Sequence, residues 1–413
     1  MIVKEKVAAG VLGTLLSAGT LAGCGATPST TSSSGGSTGG TVTIVSLRGT
    51  SGPTASLGVP GNNALQTEVN ALNAKGGLLG KKIKLVFLNT QGSPNIASTD
   101  ARQAVLSYHA AAMFGGVSSG DGVYEEAVAK KYKTILFSYT FSDAVFTRTS
   151  DFTPYFFSVV PNTNMEPMAA ALAFKKEGWT RIYTISPNYN YGRAEVTGFL
   201  NALTKLGVHY TLLGQQWPAL GASNFTSNIS AILAAHPQAV YGGIFGTDLV
   251  TFTKEAEGYG LYNKTHFVAQ YGAIDLQALG NSAPYGEIGY ARGGWWTFNN
   301  PKVIAWAKAY HAKYGTWPSS FTMLGTMAFD AWVYGVKTAH SFDSTKVSQA
   351  IAGATIPTLF GPYTIRGCDH QAEIPEYIGV LSKNPGAYYN FATYSPTFNA
   401  SWDKIEQGCP THQ

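Results

Sequence analysis

The fold of this chain is decided at residues 111–122, which read Ala-Ala-Met-Phe-Gly-Gly-Val-Ser-Ser-Gly-Asp-Gly. The short apolar run predicts a buried β-strand, and the glycines and serines predict a loop directly after it. Residues 123–132 have apolar side chains at helical spacing, so the loop leads into a helix. Ser118 and Ser119 are therefore expected beside the free N–H groups of a helix start, where a small anion such as a carboxylate binds well. Alternatively the two serines only cap the helix, and both roles can coexist.

Strand and helix patterns alternate on both sides of this segment. A strand at 41–47, a helix, a strand at 83–88 and a helix at 96–108 precede it, and a strand at 134–137 follows. This alternation predicts a parallel, doubly wound sheet. The strand at 134–137 ends in a second hydroxyl-rich loop at 138–143, which we expect beside Ser118 and Ser119 because neighbouring strands commonly pair. Two such loops form one binding edge.

The alternation starts again after a predicted crossover at 155–164. Helix and strand patterns recur through residues 165–270, with strands predicted at 181–185, 209–213, 239–245 and 265–270. They indicate a second α/β domain of similar plan. Two helices with apolar faces follow, at 301–314 and 321–339, and the first domain has a sheet face for them to cover.

The N-terminus has the three parts of an export signal: a charged start at 1–6, an uncharged segment at 7–20, and small residues before Cys24. Residues 21–24, Leu-Ala-Gly-Cys, resemble the lipobox of bacterial lipoproteins, in which the cysteine is acylated. An ordinary signal peptide is the alternative. Residues 25–40 are almost all Ser, Thr and Gly, which predicts a flexible tether.

Composition limits the function classes. The 413 residues, 45% hydrophobic, are enough for two or three folded domains. Only 12% of residues are charged, and the net charge of +5 forms no basic run beyond the N-terminus, so nucleic acid is not an expected partner. Cys368 and Cys409 are an even pair in an exported chain and predict a disulfide. The eight histidines are scattered, and we expect neither a metal site nor a cofactor. The sequence has no nucleophile elbow or phosphate loop, so an enzyme is not expected.

Several short motifs occur in an order typical of one family. They are Ser51-Gly52-Pro53, the run Gly-Gly-Leu-Leu-Gly-Lys-Lys at 76–82, the glycine-serine loop at 115–120, Tyr191-Gly192 before a helix, and Gly-Tyr-Gly-Leu at 258–261. With them, the chain from about residue 41 to 380 resembles the extracytoplasmic substrate-binding proteins of bacterial ABC importers, in the branch that includes leucine/isoleucine/valine-binding proteins. The resemblance implies the type I periplasmic-binding fold: α/β, with two doubly wound parallel-sheet lobes joined by a three-strand hinge.

The resemblance also implies a domain plan and partners. Lobe 1 would contain residues 41–161 and 292–358, lobe 2 would contain 162–291 and 359–382, and residues 383–413 would be a C-terminal extension. The protein would be a monomer, held at the membrane by its lipid, that passes a small ligand to an ABC permease and its ATPase subunits. The alternative is a ligand sensor that passes lobe closure to a signalling partner.

The resemblance assigns site residues in both lobes. Ser118 and Ser119 match the position that binds the ligand carboxylate. Phe141 and Ser142 match a loop that holds the polar head of the ligand, and Tyr191 matches a tyrosine that covers it. The remaining candidates are Leu57, at a position where the family often has an aromatic neighbour of the ligand, and Phe245 and Asp248, at the end of a second-lobe strand.

One departure from the family concerns the ligand's head group. After the strand at 265–270, amino-acid binders of the family usually have a glutamate for the ligand ammonium, whereas this chain has Tyr271-Gly272-Ala273-Ile274-Asp275. Because an unpaired buried ammonium is costly, either Asp275 or Asp248 takes that role or the ligand has no ammonium. It would then be an aromatic or aliphatic carboxylate, an amide or a urea-like compound, although the amino acid is the first choice on sequence alone. Tyr271 would be a wall of the pocket or would only pack against the hinge.

Overall fold

Five parallel strands form the first of two main sheets in the computed structural model, which describes residues 39–148, 152–384, 386–398 and 400–410. They are β1 (Thr41–Leu47), β2 (Lys82–Leu88), β3 (Ala112–Phe114), β4 (Ile135–Ser138) and β5 (Phe156–Ser158). Their order is β2-β1-β3-β4-β5. The helices of this part are α1 (Ala55–Ala74), α2 (Pro94–Leu106), α3 (Ser119–Tyr132) and α4 (Val145–Arg148). The predicted signal with Cys24, and most of the predicted tether, lie outside the described residues.

The second sheet begins with five more parallel strands. They are β6 (Arg181–Ile185), β7 (Thr211–Gln216), β8 (Ala239–Gly242), β9 (His266–Gln270) and β10 (Ile288–Ala291). The helices of this part are α5 (Glu166–Glu177), α6 (Asn190–Lys205), α7 (Thr226–Ala235), α8 (Gly246–Gly258) and α9 (Ala273–Leu279). Both halves therefore repeat the strand-helix alternation that the sequence predicts.

The last part of the chain returns to both sheets. Its elements are α10 (Pro301–Tyr314), α11 (Ser320–Ala339), α12 (Ser344–Ile351), a small hairpin of β11 (Thr355–Ile356) and β12 (Tyr363–Thr364), then β13 (Tyr377–Ser382), β14 (Thr393–Phe398) and α13 (Trp402–Ile405). Helix α11 packs against α1 and the first sheet, with the ring of Phe329 centred 6.4 Å from that of Phe114. Strands β13 and β14 join the second sheet, whose order is β14-β13-β10-β9-β8-β6-β7. The chain thus passes between the two halves three times, after β5, after β10 and after β12.

The structure differs from the sequence patterns at three places. Helix α3 begins at Ser119, earlier than expected, because Ser118 caps it: the Ser118 Oγ accepts the N–H of Asp121 at 3.1 Å. Strands β13 and β14 are antiparallel, so the second sheet is mixed and not wholly parallel. Strand β14 also lies within the segment expected to be an extension beyond lobe 2, and it continues the second sheet. No helix in the described part of the chain is long and apolar enough to span a membrane.

The C-terminal segment is attached to the body by a disulfide and by arginine side chains. Cys368 and Cys409 are bonded across a sequence separation of 41 residues. Beside them, the Arg366 Nη1 donates to the Gln407 carbonyl at 2.7 Å, and the Arg148 Nη1 donates to the Gly408 carbonyl at 2.9 Å. These contacts hold the end of the chain against the third crossover.

Replacing both cysteines (Cys368→Ser with Cys409→Ser) is expected to lower the free energy of unfolding by about 2–4 kcal/mol, because opening a loop of this length restores entropy to the unfolded chain. Urea unfolding measures the change. Reducing agent should destabilise the natural chain by a similar amount and leave the double variant unaffected. Equal stability of the two proteins would contradict this role of the disulfide.

Candidate functional site

A cavity lies where the strand-end loops of the two sheets face each other. Its empty volume is about 280 Å³. The lining residues come from loops and helix starts of both halves: Leu57, Val117, Ser119, Thr140, Phe141, Tyr189, Tyr191, Phe245, Gln270, Arg292 and Phe321. Most of these side chains are apolar or aromatic, and a few polar groups converge among them, which is typical of a small-molecule site.

A second cavity of about 290 Å³ adjoins the first. The two share five lining residues, and the second adds polar groups from the start of α9 and from α11. The shared residues are Leu57, Phe245, Gln270, Arg292 and Phe321, and the added ones are Gly246, Gly272, Ile274, Asp275 and Ser320. Both spaces are narrow, so they suit a compact molecule.

The two neighbouring serines have different surroundings. Ser118 caps α3 and does not line either cavity. Ser119 is buried and lines the first cavity, and its Oγ accepts the backbone N–H of Asp143 at 3.2 Å. Because that bond uses the oxygen, the Ser119 hydroxyl hydrogen can donate to a ligand. The capping role and the binding role thus fall on different residues.

Arg292 is the charged group of the first cavity. It follows β10, and only 4% of it is exposed. Its Nη2 donates to the Glu166 Oε2 at 2.7 Å and to the Ser142 Oγ at 3.0 Å, and its Nη1 donates to the Thr140 carbonyl. Glu166 begins α5 in the second half, whereas Thr140 and Ser142 lie in the loop after β4. One guanidinium therefore connects both sides of the cleft.

Some polar atoms around the cavities have unused hydrogen-bonding capacity. The Arg292 Nε, the Thr140 Oγ1 and the Ser320 Oγ are buried and have no hydrogen-bond partner among the described residues. Such atoms normally find a partner when they are buried. A ligand with hydrogen-bond acceptors would satisfy them. The sequence reasoning did not select Arg292, although a single charge directly after the buried strand Ile288–Ala291 was a usable signal.

Four of the sequence-predicted residues besides Ser119 line the first cavity: Leu57, Phe141, Tyr191 and Phe245. Tyr191 lies near the start of α6 and is 4% exposed, and its hydroxyl is 3.4 Å from the Arg292 Nη2. Ser142 does not line either cavity but holds Arg292 in place.

The two carboxylates considered as partners of a ligand ammonium, Asp248 and Asp275, have different positions relative to the cavities. Asp248 does not line either cavity, because its carboxylate accepts the Gly221 N–H at 3.0 Å. Asp275 lines the second cavity and accepts the Gly272 N–H at 3.0 Å. Burial raises the pKa of Asp275 to about 7 and that of Asp248 to about 6. Asp275 is therefore the carboxyl group that a ligand in the second cavity could reach.

Tyr271 does not line either cavity, and of its two alternatives from sequence, pocket wall or packing residue, the structure favours packing. Its side chain is fully buried, with its hydroxyl 3.0 Å from the Thr253 Oγ1. Its backbone carbonyl accepts the hydroxyl of Tyr394 from β14. The described residues also contain no group of three or more His, Cys, Asp or Glu side chains that could hold a metal ion.

The sequence profile of the periplasmic binding protein family matches residues 41–385. The chain belongs to this family. One relative, the Leu/Ile/Val-binding protein homolog 4 of Brucella abortus, is 27% identical over 385 residues, which cover 87% of this chain and 90% of the relative. The family resemblance found in the sequence is thereby confirmed.

Solved structures of periplasmic binding proteins have the same fold. One from Burkholderia mallei superposes with a TM-score of 0.81 at 21% identity, covering 90% of this chain and 98% of the other. A solute-binding protein of an ABC transporter from Rhodopseudomonas palustris, in complex with 3,4-dihydroxybenzoic acid, gives a TM-score of 0.77 at 16% identity and covers 87% and 98%. The α/β fold with two lobes is confirmed. The family consists of extracytoplasmic binding proteins and not enzymes, as the sequence predicts.

The raised pKa of Asp275 leads to a pH-dependent stability. Between about pH 3.8 and 7 the folded protein keeps a proton on Asp275 that the unfolded chain releases, so this group costs stability as the pH rises through that range. Asp275→Asn removes this titrating group. The free energy of unfolding of the variant, relative to that of the natural protein, should therefore increase by up to about 4 kcal/mol between pH 4 and pH 7. Urea unfolding across that range measures the difference.

A second variant serves as the comparison. The free energy of unfolding of Asp248→Asn, relative to that of the natural protein, should also increase with pH, but the increase should stop near pH 6, where the pKa of Asp248 lies. A difference between Asp275→Asn and the natural protein that stays constant with pH would contradict a raised pKa for Asp275.

Proposed function

We propose that this protein is the lipid-anchored receptor of an ABC importer and that it captures a compact carboxylate between its two lobes for delivery to the permease. Family membership and the cavity between the two sheets support the receptor role. The observation that carries the ligand assignment is Arg292, a buried cation with an unpaired Nε–H beside a mostly apolar cavity. The lipid anchor at Cys24 rests on the lipobox-like sequence.

The residues of the first cavity favour an acid with an apolar body. Among the described residues that line it, Arg292 is the one with a formal charge. The Arg292 Nε can donate a charge-assisted hydrogen bond to a carboxylate, and the Ser119 hydroxyl can add a second hydrogen bond. The walls formed by Leu57, Phe245 and Phe321 suit an aliphatic or aromatic group.

An acid without an ammonium group fits better than an amino acid. The first cavity has no carboxylate among its described lining residues, so an ammonium beside the ligand carboxylate would have no counter-ion there. Asp275 in the second cavity keeps the amino acid as the second candidate. The relatives include both types, since one is named for leucine, isoleucine and valine and another contains 3,4-dihydroxybenzoic acid.

We also propose the lobe boundaries that the family resemblance implies. Lobe 1 would comprise residues 41–161 and 292–358, and lobe 2 residues 162–291 and 359–382, with β14 added to the sheet of lobe 2. Arg292 would then stand at the second crossover. Its bonds to Thr140 and Ser142 support a closed arrangement in which the lobes meet around the ligand.

A matched series of compounds tests the head group. One set has an aromatic body and consists of an acid, an amino acid and an amine: hydrocinnamate, phenylalanine and phenethylamine. The second set has an aliphatic body and consists of isocaproate, leucine and isopentylamine. A further acid, 3,4-dihydroxybenzoic acid, is added to the two sets. We expect acids to raise the melting temperature most and amines not at all, because a ligand stabilises the state that binds it. Thermal shift assays give the ranking, and titration calorimetry gives the affinity.

The outcomes separate the two candidates. Stabilisation by leucine or phenylalanine with none by the matched acids would contradict the acid and favour the amino acid. If no compound of this series or of a broad metabolite library stabilises the protein, the receptor role itself is contradicted.

The adjacent serines provide a matched pair of variants. Ser119→Ala should weaken binding of the preferred acid by about 1–3 kcal/mol with little change in the melting of the empty protein, because it removes a hydrogen bond to a charged ligand. Ser118→Ala removes the α3 cap and should lower stability by about 0.5–2 kcal/mol. Calorimetric titration and thermal melting of both variants check the division of roles. Equal losses of affinity in the two variants would refute it.

A further inference from the structure

Three buried glutamates lie behind Arg292 in the second half of the protein. They are Glu166 on α5, Glu195 on α6 and Glu376 just before β13, and none is more than 3% exposed. Glu166 acts electrostatically on both of the others, and Glu376 acts on Glu195. Carboxylates are seldom buried without a counter-charge, and here three share one region.

The hydrogen bonds leave much of this cluster unpaired. The Glu166 Oε2 accepts from Arg292 and, at 2.8 Å, from the Gln270 Nε2. The Glu195 Oε2 accepts the hydroxyl of Tyr241. The Oε1 atoms of Glu166 and Glu195 and both oxygens of Glu376 have no hydrogen-bond partner among the described residues. Four buried carboxylate oxygens are therefore unsatisfied.

The surrounding charged and titratable groups do not balance the three acids. The groups that interact with the cluster are Tyr189 just before α6, Tyr191 on α6, Tyr241 on β8, Tyr290 and Arg292 on or after β10, Tyr377 on β13 and Tyr394 on β14. Arg292 is the cation among them, and the tyrosines bring no positive charge. Burial raises the pKa of all three glutamates, and their mutual repulsion adds to it for Glu195 and Glu376. Protons are thus the available means of balancing the cluster.

We propose that the protein binds a proton together with its acidic ligand and that Glu195 or Glu376, the two members of the cluster without a hydrogen-bonded cation, receives the proton. This inference rests on the proposed carboxylate ligand at Arg292. The ligand would compete with Glu166 for the same guanidinium and add a fourth acid to the region. Like charges repel strongly where water is excluded, so one glutamate takes up a proton from solvent when the ligand enters.

The sign of the pH dependence follows from this charge balance. The ligand's negative charge makes the glutamates hold their protons more tightly in the complex than in the empty protein. Binding is therefore favoured at low pH and weakens as the pH rises above the range where the empty cluster already keeps its proton. Uptake of one proton corresponds to a change of up to about tenfold in Kd per pH unit.

Titration calorimetry of the full mature chain tests the proposal. The probe is hydrocinnamate, or isocaproate if the compound series prefers the aliphatic acid. At about pH 7.5, titrations in phosphate and in Tris should give different binding enthalpies, because the proton must come from the buffer. We expect an uptake of up to one proton per ligand, and a Kd that rises with pH above the range where the empty cluster keeps its proton.

Isosteric variants locate the proton. Glu195→Gln, Glu376→Gln and their combination remove acids of the cluster while keeping the side-chain shape, and the combined variant should abolish the buffer dependence and flatten the Kd profile. Glu373→Gln is the matched control, because Glu373 is close in sequence to Glu376 but is partly exposed and lies outside the cluster. This variant should leave the buffer dependence and the Kd profile unchanged.

The outcomes distinguish this inference from the function on which it rests. Binding of the acid by the natural protein with equal enthalpies in the two buffers and a constant Kd would overturn proton uptake and leave the receptor role intact. Uptake that persists in the combined variant would overturn the assignment to this cluster. Failure of every acid to bind would overturn the proposed function and this inference with it. The measurement on the natural protein stands even if a variant does not fold.

Discussion

A guanidinium that is 96% buried must be paired on every side, because an isolated charge in a protein interior is expensive. Arg292 obtains its partners from segments that are far apart in the chain: Glu166 on one side of the cleft, and Thr140 and Ser142 on the other. These partners surround it only while the loop after β4 lies against the start of α5. The arrangement of the cleft and the satisfaction of this one charge therefore depend on each other.

The same ion pair places a charged group at one end of the mostly apolar cavity, which can orient a ligand. Walls such as Leu57, Phe245 and Phe321 contribute affinity in proportion to the area that they bury, but they do not orient a ligand. A cation at one end, with the Ser119 hydroxyl beside it, favours one orientation of an acid. Since Glu166 already uses part of the guanidinium, the proposed acid would meet a partly occupied partner, and its affinity would depend on the protonation of Glu166 and of the two glutamates behind it.

The sequence patterns indicated the loops around the cavity, but they did not indicate Arg292, the charged residue that lines it. Glycine and serine directly after an apolar strand are a local signal, and the structure places Ser119 of that loop in the lining of the first cavity. The burial of Arg292 depends on Glu166, which is 126 residues away, and no local pattern records that pairing. Tyr271 looked like a cavity residue because it follows a strand of the second sheet. Its direction is set by Thr253 and by Tyr394 of a C-terminal strand whose place the sequence did not reveal.

That C-terminal strand bears on the choice of ligand. The Tyr394 hydroxyl binds the Tyr271 carbonyl directly after β9, where amino-acid binders of the family usually have the glutamate for the ammonium. The hydrogen bond from β14 holds the Tyr271 backbone, and the Tyr271 side chain cannot turn toward the cavity without breaking the buried bond of its hydroxyl to Thr253. The replacement of the expected glutamate by Tyr271 and the contact of β14 with that residue thus have the same consequence. They leave Asp275, already engaged by a backbone N–H, as the carboxyl group near that end of the site, and Arg292 as its dominant charge.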